Sequence, residues 1–125
     1  MNQEVKKIRH LAIGILLLSA ITGFSSCEKY SYTPPAVDPD ATWSLSNDIQ
    51  PIFSSNCITC HNGSLPLDLR EGKSFQSLTS RGDITLPAES STLYTTMTGS
   101  EHAPRSSDAD KLKVLYWIQQ GALNN

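Results

Sequence analysis

Residues 43–125 predict an all-α domain, for three reasons. Ile49, Ile52 and Phe53 fall at helical spacing just ahead of Cys57. The closing stretch SDADKLKVLYWIQQGA opens on a capping residue and stops at a glycine. Between them lie two shorter helical stretches, the second with start and stop signals of its own.

The elements follow in chain order. Pro51 is tolerated only near a first turn, so the first helix starts close to it and ends at Cys57 and Cys60. Next come Leu65, Leu67 and Leu69 in alternation, followed by GKSFQSL as a short helix. Arg81-Gly82-Asp83 is a turn. The stretch PAESSTLYTTMTG predicts another helix, capped by Glu89, Ser90 or Ser91 and ended by Gly99. In the last helix, Ser107 is the N-cap, with Asp110 three residues on as a capping-box variant, and Gly121 is the stop. Its expected apolar side is Leu112, Leu115, Tyr116 and Ile118, widened by Val114 and Trp117. Trp117 and Ile118 are expected to pack against Ile49, Ile52 and Phe53.

Two segments precede this domain. Lys6, Lys7 and Arg9 followed by the apolar run 11–18 read as an export signal over residues 1–26, too short and wrongly flanked for a membrane span. Ser25, Ser26 and Cys27 resemble the lipobox of bacterial lipoproteins, although Phe24 stands where Leu is usual. That resemblance implies that Cys27 is lipidated and anchors the protein to a membrane surface. The alternative is a secreted chain in which Cys27 is a leftover thiol or part of an intermolecular disulfide. Residues 27–42 hold Pro34, Pro35 and Pro39 without apolar periodicity and read as a semi-rigid tether.

Charge excludes one class of partner. The chain has 10 basic and 12 acidic side chains; without residues 1–26, which hold Glu4, Lys6, Lys7 and Arg9, 7 basic and 11 acidic remain, a net of −4. No basic run offers a site for nucleic acid. Nor is there a Ser-His-Asp set, an evident pair of catalytic carboxylates or a glycine-rich phosphate loop. A domain this short buries a limited core and commonly borrows stability from a metal, a disulfide or a cofactor.

The stretch NCITCHNG suggests which. Three chemistries use a Cys-x-x-Cys pair: thiol exchange, zinc binding and covalent haem attachment. A thioredoxin-type pair opens a helix after a strand, whereas this pair closes one. Zinc needs four ligands, and beyond Cys27 the only cysteines and histidines of the mature chain are Cys57, Cys60, His61 and His102, with Cys60 and His61 adjacent. Haem gives each residue a role: Cys57 and Cys60 add to the porphyrin vinyl groups, and His61 binds iron. Export agrees with it, since the attachment occurs outside the cytoplasm. With Cys27 lipidated, no cysteine is left free.

With PIFSSNCITCH at its front and WIQQGALNN at its end, the segment from about Ser46 to Asn125 resembles a class I cytochrome c domain. The resemblance implies a small helical fold around one covalent haem c, with the N- and C-terminal helices packed together. It also implies that the Leu65–Leu69 segment walls one side of the haem. Its expected activity is electron transfer between extracytoplasmic redox proteins, in the periplasm or at the cell surface, and not catalysis. Rival readings are a haem-based sensor of small gases, a haem domain serving a larger redox enzyme complex, and peroxidase-like turnover at an open iron.

The second axial ligand is expected to be His102, with Met97 as the alternative and lysine or an open site behind them. In resembling domains that ligand is a methionine in the loop before the last helix, where this chain has His102. Met97 follows Leu93 by four residues, so it shares an apolar helix stripe and suits core filling. Two histidines would give a lower potential than histidine with methionine.

Overall fold

The structure is a computed structural model that describes residues 36–125, together with residues 3, 4, 6, 7 and 10, which are helical. The apolar run 11–18, the lipidation candidate Cys27 and the prolines Pro34 and Pro35 lie outside the described residues. By its contacts the chain divides at residues 33 and 34. Among the described residues no helix is long and apolar enough to cross a membrane.

The unit from residue 34 onward is helical, as the periodicity predicts. Four α-helices follow one another: α1 (Gln50–Asn56), α2 (Ser74–Arg81), α3 (Thr92–Thr98) and α4 (Asp108–Gln119). There is no strand among the described residues, only an isolated antiparallel bridge between Asn62 and Asp68.

Leading into α1 is one wide π turn, Leu45–Ile49, capped by the Ser44 hydroxyl accepting from the Asn47 N–H. Pro51, in the first turn of α1, explains the change of register. Lacking an N–H, it cannot donate to the Asn47 carbonyl as an α-helix would require. Ile49, Ile52 and Phe53 are buried here, and they share one core with Val114, Leu115, Trp117 and Ile118 of α4. Full burial of such a side chain contributes about 1.5–3 kcal/mol. The contact of α4 with this first element is made mainly through the π turn, and α4 packs also on α3.

α4 has both halves of the expected capping box: Asp110 N–H donates to Ser107 Oγ at 3.1 Å, and Ser107 N–H to Asp110 Oδ2 at 3.3 Å. Its buried stripe differs from the expected one. Val114, Leu115, Trp117 and Ile118 are buried, whereas Leu112 and Tyr116 are half-buried. Spacings of three and four from Val114 reach Trp117 and Ile118, while Tyr116 is turned some 200° away around the helix.

Two other caps also depart from expectation. Ser91 is the N-cap of α3 by position, but its hydroxyl makes no capping bond and donates to the Asp83 carbonyl at 2.8 Å. Glu89 and Ser90 belong to a separate 3-10 turn, Ala88–Ser90. Gly82 ends α2 in the left-handed region at φ 70°, where a side chain would be strained. The Arg81–Asp83 stretch is thus a helix stop, closed by an ion pair at 2.8 Å.

Hydrogen bonds tie residues on either side of Trp43 to the end of the chain. Gln120 donates to the Ala41 carbonyl at 2.7 Å and accepts the Trp43 N–H at 3.0 Å. Leu45 and Ser46 donate their N–H groups to Asn125, at 3.1 and 2.9 Å. The start and end of the domain are therefore laced together.

Candidate functional site

α1 stops at Asn56, and Cys57 is its C-cap, its N–H still bonded to the Phe53 carbonyl. A tight turn follows in which the Cys57 carbonyl accepts from both Cys60 N–H at 3.1 Å and His61 N–H at 3.0 Å. That turn keeps Cys57, Cys60 and His61 on one wall of a cavity of about 350 Å³. Neither thiol is in a disulfide. Burial pushes the Cys57 thiol up, and the positive charge of Arg105 opposes this in part.

Met97 and His102, the candidates for a second iron ligand, line the same cavity. Met97 reaches it from α3 and His102 from the loop after that helix. Met97 is 6% exposed and belongs to the apolar core. His102 is half-buried, next to the 3-10 turn Ala103–Arg105. Leu65, Leu67 and Leu69 wall another side. Cys60 and Leu65 line the cavity yet are themselves exposed, so it opens to solvent at that edge.

His61 is oriented by the segment that follows it. Its Nδ1 lies 3.3 Å from the Leu67 carbonyl, and a ring nitrogen facing a carbonyl must be the protonated one. The lone pair is then on Nε2, the tautomer suited to a metal ligand. Leu69 N–H donates back to the His61 carbonyl at 2.9 Å, and the Asn62–Asp68 bridge closes the same loop. Gly63 is required here. At φ 91° it occupies the left-handed region, and a Cβ would stand 2.5 Å from Arg70 Nη2. Arg70 holds Asp68 at 2.6 Å, which lowers the Asp68 carboxyl to about 2.

Four cavity or loop residues escaped the sequence reading. Arg81, read only as part of a turn, lines the cavity with its Nε held by buried Asp83. Arg105 lines it too, three residues after His102 in the same loop, a proximity that could have flagged it. Gln50 and Ser77 hold the Leu67–Leu69 loop from behind: Gln50 Nε2 donates to the Leu69 carbonyl, and Ser77 Oγ accepts the Asp68 N–H, both at 2.9 Å. No local pattern marks either of them.

The donor set discriminates between chemistries. Among the described residues no group of three or more His, Cys, Asp or Glu side chains is gathered closely enough to hold a metal ion by itself. A tetrahedral zinc site from Cys57, Cys60, His61 and His102 is therefore not assembled. Thiol exchange gains nothing from the helix either, since Cys57 lies at the C-terminal end of α1, where the dipole disfavours a thiolate. The same residues do stand around a shared, largely apolar space large enough for a ligand. No protein-family model matches the chain, and no curated protein or solved structure matches it significantly.

Proposed function

We propose that this protein is a monohaem c-type cytochrome that carries single electrons between extracytoplasmic redox partners, tethered to a membrane through Cys27. One observation carries the reading: the thiols of the C-x-x-C-H motif and its histidine line one cavity together with Met97 and His102, the two candidates for a second iron ligand. The residues fit a haem in other respects. Apolar walls suit a porphyrin face, and the Nδ1–H of His61 is spent on the Leu67 carbonyl, leaving Nε2 for iron.

Cys57 and Cys60 would hold the group covalently. Each would do so as a thioether, a bond that thiol addition to a vinyl group makes without an external oxidant. His61 and His102 would bind the iron. Arg105 brings positive charge to the cavity, complementary to the carboxylates that a haem carries, whereas the charge of Arg81 is met by Asp83. When bound, haem iron supplies reversible one-electron chemistry at a potential set by its axial ligands and surroundings. The chain's own part is to hold the ligands, exclude water with Leu67, Leu69 and Leu93, and leave an open edge at Cys60 and Leu65.

The test is a pyridine haemochrome assay with intact-mass measurement on the exported protein. One haem per chain, attached through two thioethers, is the expected result. A colourless product with both thiols open to alkylation overturns the reading.

A further inference from the structure

The His61 hydrogen bond does not end at Leu67. The Leu67 carbonyl that faces Nδ1 at 3.3 Å belongs to the same peptide group as the Asp68 N–H, and that N–H donates to Ser77 Oγ of α2 at 2.9 Å. The three groups form a chain from hydroxyl through peptide to imidazole. Because the peptide is planar, an acceptor that fixes its N–H also fixes the direction of its carbonyl. Hydrogen bonds in series also polarise one another, so the Ser77 contact makes the Leu67 oxygen a better acceptor.

Other bonds hold the rest of the loop independently. Leu69 donates to the His61 carbonyl and accepts from Gln50, and Arg70 is paired with Asp68. With its far side pinned in this way, the Leu67–Asp68 peptide has one remaining rotation that matters to the ring. Ser77 is the group placed to set it.

We propose that Ser77 is a positioning residue for His61, acting through the Leu67–Asp68 peptide to hold and strengthen the Nδ1 hydrogen bond and so tune the imidazole as an iron ligand. The consequence for iron rests on the haem reading above; the consequence for the ring does not. A stronger Nδ1–H bond makes the ring a more electron-rich donor, which favours the ferric state and lowers the potential.

The experiment compares wild type, Ser77→Ala and Ser77→Thr as full-length purified proteins. Ala is the better helix former, so the substitution does not weaken α2. Haem content comes first, from the pyridine haemochrome. Two readouts follow: the reduction potential from a spectroelectrochemical titration, and the His61 ring ¹⁵N and Nδ1–H NMR shifts. Ser77→Ala is expected to raise the potential and move the Nδ1–H resonance upfield, and Ser77→Thr, which keeps the hydroxyl, to restore both. A Ser77→Ala protein whose potential and ring shifts match wild type overturns the proposal. If wild type itself carries no haem, the haem reading is what fails, and the ring shifts alone decide the role of Ser77.

Discussion

Ser74 donates its hydroxyl hydrogen to Oε1 of Gln50 at 2.6 Å, and both side chains are buried. The same Gln50 amide reaches the Leu69 carbonyl, so one side chain ties α1 to α2 and to the loop that carries the His61 acceptor. Such a network stabilises when complete and costs when halved.

Gln50→Leu leaves the Ser74 hydroxyl and the Leu69 carbonyl without their buried partner. Each orphaned group costs about 1–3 kcal/mol. Ser74→Ala leaves only the Gln50 oxygen. The double variant is expected to lose less than the sum of the singles, with a coupling of about 0.5–3 kcal/mol in urea unfolding. Strict additivity would mean that the two side chains do not depend on each other.

Met97 and His102 line one cavity but are held differently, and this separates the two ligand assignments. Met97→Ala removes a core side chain, so a stability loss of about 2–5 kcal/mol is expected while the low-spin spectrum persists. His102→Ala removes a half-buried loop side chain, so stability changes little but the spectrum becomes high-spin or ligand-exchanging. A high-spin spectrum from Met97→Ala alone would reverse the assignment.

The cavity also has a thermodynamic meaning. Its walls come from α1, the Leu65–Leu69 loop, α2, α3 and the loop after α3, and they surround space that a larger domain would fill with its own side chains. Cys57→Ala/Cys60→Ala, expressed without haem attachment, is therefore expected to lose most of its far-ultraviolet helical signal. A cooperative unfolding transition in that variant would show that the chain's own core suffices.

How much of this was readable beforehand depended on whether the cause was local. The Ser107–Asp110 box, the stop at Gly99 and the buried triplet Ile49, Ile52 and Phe53 follow from spacing and cap chemistry within a few residues, and the structure has them. Ser91 shows the limit: it was one of three candidate caps, and the Asp83 carbonyl that takes its hydroxyl lies eight residues away. Gln50 and Ser77 act across the fold, on groups 19 and 9 residues distant, so nothing beside them in the chain announces their partners. The C-x-x-C-H motif is readable because its chemistry is itself local. The arrival of Met97 and His102 at the same cavity depends on how α3 packs, which periodicity does not specify.

The Asp68–Arg70 pair supplies a pH dependence whose sign can be stated. Arg70 donates to both carboxylate oxygens of Asp68, from Nε at 3.0 and 3.2 Å and from Nη2 at 2.6 Å. This hydrogen bonding holds the folded carboxyl at about 2, below its ordinary 3.8. The folded state therefore releases this proton more readily than the unfolded chain does. The stabilisation from the pair is fully present above the unfolded value and disappears as pH falls through the folded one. Asp68→Asn removes it at every pH. The gap in stability between wild type and Asp68→Asn, measured by urea unfolding, is thus expected to be constant from neutral pH down to about 5, and to close between about pH 4 and pH 2. Added salt should narrow the gap at neutral pH, because the pair is partly exposed to solvent. A gap that persists unchanged at pH 2 would assign the effect of the substitution to the loop backbone and not to the charge.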